Sequence, residues 1–205
     1  MIYIIAGAPR LGKSTIAQRL MKVTGSPWLS TDILRKVAFA YASDTDIRFP
    51  LSTLGNREEM GTRSAQSLVD MFIQEAQSMK AGIEKCLQYQ ISVNQDFILE
   101  GIHILPQDLY EIMTRRGWDE HIAVQFLGCR DKELQLEAMQ KNTDTSDWLV
   151  DASEEVYENM AQVITLYSGQ IKKDCAKYDF AYLERTGDFE LENKKITTAL
   201  VEKIR

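Results

Sequence analysis

Residues 7–14 read Gly-Ala-Pro-Arg-Leu-Gly-Lys-Ser, an unbroken G-x-x-x-x-G-K-[ST] spacing. Its chemistry follows from the residue types. Glycines at both ends let the backbone curl, so that successive N–H groups face one concave side and can hold anionic oxygens. A lysine just inside the following helix reaches the β- and γ-phosphates of a nucleotide, and the hydroxyl after it is a hard oxygen donor for Mg²⁺. Gly7, Ala8, Pro9, Arg10, Leu11, Gly12, Lys13, Ser14 and Thr15 are therefore the expected ATP-binding set. Lys13 is also an expected catalytic residue, and Ser14 an expected metal ligand.

Three further polar sets could complete such a site. Asp32 and Arg35 are three apart, so at a helix start they share a face. Asp32 could accept a proton from a substrate hydroxyl, and Arg35 could grip a phosphate or carboxylate with its fork. Ser30, Thr31 or Asp32 could equally serve only as a helix cap. Glu100 ends an apolar run, where a carboxylate is costly unless a cation is near. A Mg²⁺ held through water would be that cation. A general-base role and a salt bridge to Arg10 or Arg130 are the alternatives. Gly101 would let a ligand or backbone approach closely, and His103 is a candidate substrate contact. Arg130 follows another apolar run, where it could meet phosphates or stack on a base.

The elements that must position these residues can be read from periodicity. Ile2 to Ala6, Pro27–Leu29, Phe97 to Leu99, Ile122 to Leu127 and Phe180 to Leu183 read as strands. Helices are expected over 13–24, 32–41, about 59–92, from Pro106 onward, 131–141, 151–174 and 188–204. In the long helix, Leu68, Phe72, Ala76, Met79, Ile83, Leu87 and Ile91 step by three or four, as one buried face should. Residues 43–58 and 142–148 read as loops. Strands separated by helices predict an α/β three-layer sandwich, with a five-stranded parallel sheet flanked by helices. Ligands of such a sheet bind at the carboxyl ends of its strands. Each polar set above directly follows a strand, as that rule requires.

The chain has 205 residues, 44% hydrophobic, enough for one domain with a buried core. A net charge of −6 argues against a general nucleic-acid or membrane-surface binder. Three widely spaced cysteines suit reduced, small apolar residues of a cytoplasmic protein. No run approaches the ~18 apolar residues of a membrane helix.

Together, the loop, Ser30-Thr31-Asp32-Ile33-Leu34-Arg35 and Glu100-Gly101-Ile102-His103-Ile104-Leu105-Pro106 resemble the nucleoside-monophosphate-kinase-like branch of phosphate-loop (P-loop) small-molecule kinases. The 2-phosphoglycerate kinase group is the nearest likeness. Zeta-toxin-like and uridine-kinase-like enzymes also place Glu-Gly after this strand. The resemblance implies a single kinase-like domain over 1–205. It would have a substrate-side helical region about 43–94 and a short lid about 131–150. It also implies ATP and Mg²⁺ as cofactors and a small-molecule phosphate acceptor as partner. Lys13, Asp32, Glu100 and Arg130 would be catalytic. Asp32, Arg35, Gly101 and His103 would bind substrate, and Ser14 and Glu100 would hold the metal.

The departure is in the lid. Kinases of this group usually carry arginines there, whereas 131–150 contains none, and its only cations are Lys132 and Lys141. A nucleotide-binding regulator, or a zeta-toxin-like protein with little turnover, is therefore the alternative expectation. A GTPase is a third, less expected reading, because Asn193-Lys194 lacks the aspartate of a guanine-reading motif.

Overall fold

Six consecutive buried residues, Ile2–Gly7, form β1 and set the centre of the sheet. In the computed structural model, which describes residues 1–42, 47–51, 54, 57–142 and 149–203, β1 leads through the glycine loop into α1 (Lys13–Thr24). Next come β2 (Trp28–Ser30), α2 (Thr31–Ala40), α3 (Glu59–Thr62), α4 (Ala65–Ser92) and β3 (Phe97–Gly101). The chain continues with α5 (Pro106–Arg116), β4 (Ile122–Gly128), α6 (Lys132–Asn142), α7 (Glu154–Tyr178), β5 (Tyr182–Glu184) and α8 (Phe189–Glu202).

The sheet order is β2-β3-β1-β4-β5 and every pairing is parallel. All five strands therefore end on one edge, at Ser30, Gly101, Gly7, Gly128 and Glu184. Helices α1 and α8 pack together on one side of the sheet, and α4, α5 and α7 pack together on the other. This is a three-layer α/β sandwich. The α4 stripe Leu68, Phe72, Ala76, Met79, Ile83 and Leu87 is buried, while Ile91 is only partly covered. Each such side chain contributes roughly 1.5–3 kcal/mol when fully buried.

Helix α7 runs Glu154–Tyr178 rather than 151–174, and two further departures from the periodic reading have a local cause. The helix expected over 59–92 is broken, because Arg63 and Ser64 are extended (ψ 146° and 142°). Ser64 is the cause: its hydroxyl accepts from the Ser67 amide at 3.2 Å and starts α4 afresh. The last strand begins two residues later than expected. Asp179 adopts the left-handed conformation at the end of α7, and the Phe180 amide donates to the Cys175 carbonyl at 3.0 Å. Phe180 is thereby used to close the helix. Residues 43–46, 52–53, 55–56 and 143–148 of the two expected loops, Trp148 among them, lie outside the described residues. No helix among the described residues is long and apolar enough to cross a membrane. Cys86, Cys129 and Cys175 are free thiols.

Candidate active site

The loop begins where β1 presses against β4. A Cβ on Gly7 would lie 2.0 Å from the Leu127 carbonyl oxygen, and Gly7 has φ +125°, so only glycine fits. The Ala8 amide donates to that same carbonyl at 3.2 Å. Arg10 and Gly12 also have positive φ, 63° and 73°. Gly12 caps α1 without any side-chain hydrogen bond, and the first turn holds no acidic residue. The amino end of α1 thus presents unsatisfied N–H groups and the positive end of its dipole, a ready anion site. Ser14 and Thr15 are exposed there, and Pro9 and Arg10 are partly covered.

Lys13 is buried, and its Nζ donates to the Ala8 carbonyl at 2.6 Å. Burial lowers its pKa to about 8. The carboxylates of Glu100 and Asp32 oppose that shift, and the guanidinium of Arg185 adds to it. Glu100 lies between Ile5 of β1 and Ser30 of β2 in the sheet register and is 3% exposed. Ser14 Oγ donates to Glu100 Oε1 at 3.1 Å. Burial raises the Glu100 pKa, while Lys13 and the Ser30 and Ser14 hydroxyls hold it down. Two hard oxygens, the Ser14 hydroxyl and the Glu100 carboxylate, thus meet beside the loop. That donor set suits Mg²⁺, which takes few protein oxygens and completes its shell with phosphate and water.

The sequence motif at α2 does two jobs at once. Ser30 caps the helix, accepting from the Asp32 amide at 3.2 Å. Asp32 itself keeps a 61% exposed side chain, so its carboxylate faces solvent rather than the helix end. The Arg35 Nε donates to Glu75 Oε2 of α4 at 2.7 Å. Glu75 is fully buried, and its other oxygen accepts from the Leu51 amide at 2.8 Å. Burial pushes the Glu75 carboxyl up, but His103, Arg35 and the Leu51 amide outweigh it and hold the pKa below the usual value.

Gly101 and His103 serve the α2 motif directly. A Cβ on Gly101 would sit 1.7 Å from Thr31 Oγ1, so what approaches Gly101 is the Thr31 side chain. That hydroxyl also hydrogen-bonds His103 Nδ1 at 2.9 Å. His103 is buried, with Nδ1 3.8 Å from Asp32 Oδ1 and Nε2 3.9 Å from Glu75 Oε2. Thr31, His103 and Glu75 form a buried polar layer beneath Asp32 and Arg35.

Arg130 lies on the other side of the loop, past β4. Its Nε donates to Glu184 Oε2 at 2.8 Å, and its amide to Glu184 Oε1 at 2.9 Å. Lys172 shares the same carboxylate at 2.8 Å. Neither Arg10 nor Arg130 makes a described salt bridge to Glu100. An open cleft of about 710 Å³ runs between the ends of β4 and β5, lined by Arg130, Leu134, Arg185 and Thr186 among others. In the described part of the expected lid, Lys132 pairs with Glu158, and Lys141 with Glu137 at 3.3 Å. Arg115 and Arg116, at the end of α5, both clasp Glu84 of α4 rather than acting only on the helix dipole.

Three residues were missed from sequence. Glu75 and Glu84 sit at core-facing positions of the α4 stripe. A carboxylate on an apolar helix face is itself a signal that a cation must lie opposite. Arg185 gave no such signal, yet its guanidinium is fully buried against the loop carbonyl of Leu11.

No model of a known protein family matches the chain, and no curated protein does. Solved structures do resemble it. A kinase candidate from Chloroflexus aurantiacus J-10-fl is 13% identical, with 100% of this chain and 98% of that chain aligned and a TM-score of 0.57. Shikimate kinase from Bacteroides thetaiotaomicron is 14% identical over 98% of each chain, with a TM-score of 0.52. At such identities the likeness shows the fold alone. That fold is a kinase-like three-layer α/β sandwich over a parallel sheet.

Proposed function

We propose that this protein is an ATP- and Mg²⁺-dependent phosphotransferase acting on a small hydroxyl- or phosphate-bearing molecule. One observation carries the reading. The loop of β1, Glu100 of β3 and Asp32 of α2 lie on adjacent strand ends, with Ser14 hydrogen-bonded to Glu100 and the Lys13 ammonium feeling the charges of both carboxylates. A donor-phosphate site, a metal site and an exposed carboxylate next to both are the parts that phosphoryl transfer needs.

The roles follow from position. The loop amides and Lys13 bind the phosphates, and Ser14 and Glu100 would hold Mg²⁺, which supplies charge neutralisation when bound. Asp32 orients the acceptor hydroxyl and takes its proton as the γ-phosphoryl group moves to the acceptor oxygen, leaving ADP. Arg35, steadied by Glu75, offers its fork to an anionic part of the acceptor, with 2-phosphoglycerate the first compound to try. Gly101 and His103 act by seating Thr31 and hence the start of α2. Arg130 faces the cleft that would take the nucleoside. In this reading the whole chain is one domain, with an acceptor side about 43–94 and a lid about 131–150. The acidic surface favours a small acceptor over nucleic acid, and three free thiols suit the cytoplasm.

The test is incubation with ATP, Mg²⁺ and a panel of hydroxylated and phosphorylated metabolites, with products identified by mass. Lys13→Ala should lower transfer at least about a hundredfold, and unchanged transfer would sink the reading. One observation favours the alternative of a nucleotide-binding regulator: both cations of the described lid are held in ion pairs. Tight ATP binding with no transfer to any acceptor would select it.

A further inference from the structure

Arg185 ends up directly behind the phosphate loop, although the two are 174 positions apart. Its Nε and Nη2 donate to the Leu11 carbonyl at 3.1 and 2.7 Å. Nη1 donates to Glu192 Oε2 at 3.0 Å, and Nη2 also donates to Asn193 Oδ1 at 2.6 Å. The other oxygen of Glu192 accepts from the Thr186 amide at 2.9 Å and its hydroxyl at 2.8 Å. The ring of Phe189 lies 5.1 Å from the guanidinium carbon. Such a network fixes the guanidinium in one place.

The peptide after Leu11 is trans, as all peptide bonds described here are. In a trans peptide the C=O and the N–H point to opposite sides. Holding the Leu11 oxygen toward Arg185 therefore turns the Gly12 N–H away from Arg185. A cation on the carbonyl also polarises the amide and strengthens that N–H as a donor. Gly12 is the residue that caps α1, and as a glycine it brings no side chain to cap the first N–H groups.

We propose that Arg185 is a positioning residue for phosphate binding: through the Leu11 carbonyl it aims and polarises the Gly12 amide. It also sets a fixed positive charge behind a loop whose lid segment, 131–150, has no arginine. The proposal rests on residues 7–14 being a nucleotide loop. A purely structural role would tie α8 to the sheet without affecting phosphate affinity.

Three variants separate these roles. Arg185→Lys keeps the charge but cannot span Leu11, Glu192 and Asn193 together. The double variant R185M/E192Q removes both charges, so no buried carboxylate is orphaned. Asn193→Ala removes one partner of Nη2 and leaves the Arg185–Glu192 pair intact.

Each is titrated calorimetrically with ATP and with inorganic tripolyphosphate, well below its own melting temperature. Both affinities should fall by the same factor, about tenfold in R185K, more in the double variant and about threefold in N193A. The Gly12 amide resonance of the ligand-free protein should move in all three. Lowered melting temperatures with both affinities unchanged would make Arg185 a structural tie and overturn the proposal. Loss for ATP but not for tripolyphosphate would overturn it too, because the effect would lie on the nucleoside side. A wild-type protein that binds neither ligand would overturn the nucleotide-loop reading itself. If both Arg185 variants fail to fold, N193A decides alone: unchanged affinities overturn the proposal.

Discussion

Lys13 shows how one buried side chain ties the loop to solution conditions. Its pKa falls from 10.5 to about 8, first through burial. Between those values the unfolded chain binds more protons than the native one. The cost of burying this ammonium is therefore relieved as pH rises from about 8 to 10.5. Phosphate binding runs the other way, because it requires the charged ammonium. Metal-free ATP affinity, measured by calorimetry above the last phosphate ionisation at about pH 6–7, should hold up to pH about 8 and should then weaken up to about tenfold per pH unit. Affinity that rises over that range would contradict the role given to Lys13. Gly101 gives a second prediction at this scale. Gly101→Ala would push a methyl into Thr31 at a φ of +154°, so urea unfolding should show a loss of about 2 kcal/mol or more. The Ser14, Lys13, Asp32 and Glu100 positions were legible because each motif is local in sequence. Glu75 was not, because its meaning depends on Arg35, 40 positions away, folding over it.

At the level of elements, the break between α3 and α4 depends on a third helix. The Asn159 side chain of α7 donates to the Met60 carbonyl and, at 2.8 Å, to the Arg63 carbonyl. These are carbonyls at the end of α3 that the broken helix leaves open. Asn159→Leu should therefore cost about 1–3 kcal/mol in denaturant unfolding. Loss of the Ser64 cap by Ser64→Ala should cost about 1 kcal/mol. Periodicity found α4 because its apolar stripe is unambiguous. It could not find the break, since Met60 and Ala65 keep the apolar pattern going across Arg63 and Ser64. The late start of β5 has a similar origin. Phe180 reads as a strand residue by type, but the end of α7 takes its amide first.

For the molecule as a whole, ligand and stability should be linked through the loop. With ATP at a hundred times its dissociation constant, the native state gains about 2.7 kcal/mol. In a chain of this size that is a rise of roughly 5–11 °C in melting temperature. Lys13→Ala should show little of it, which differential scanning fluorimetry would detect directly. That the strands run parallel was readable from the alternation of strands and helices, whereas their order, and hence the edges, was not. Those edges are β2 and β5, each three residues long, and the residue before β2 is Pro27. An edge strand is a row of open N–H and C=O groups that another chain can extend. Here each rim offers only a three-residue ladder, too short a template for a second molecule to zip onto. The longest hydrogen-bonding surfaces, β1 and β4, have partners on both sides.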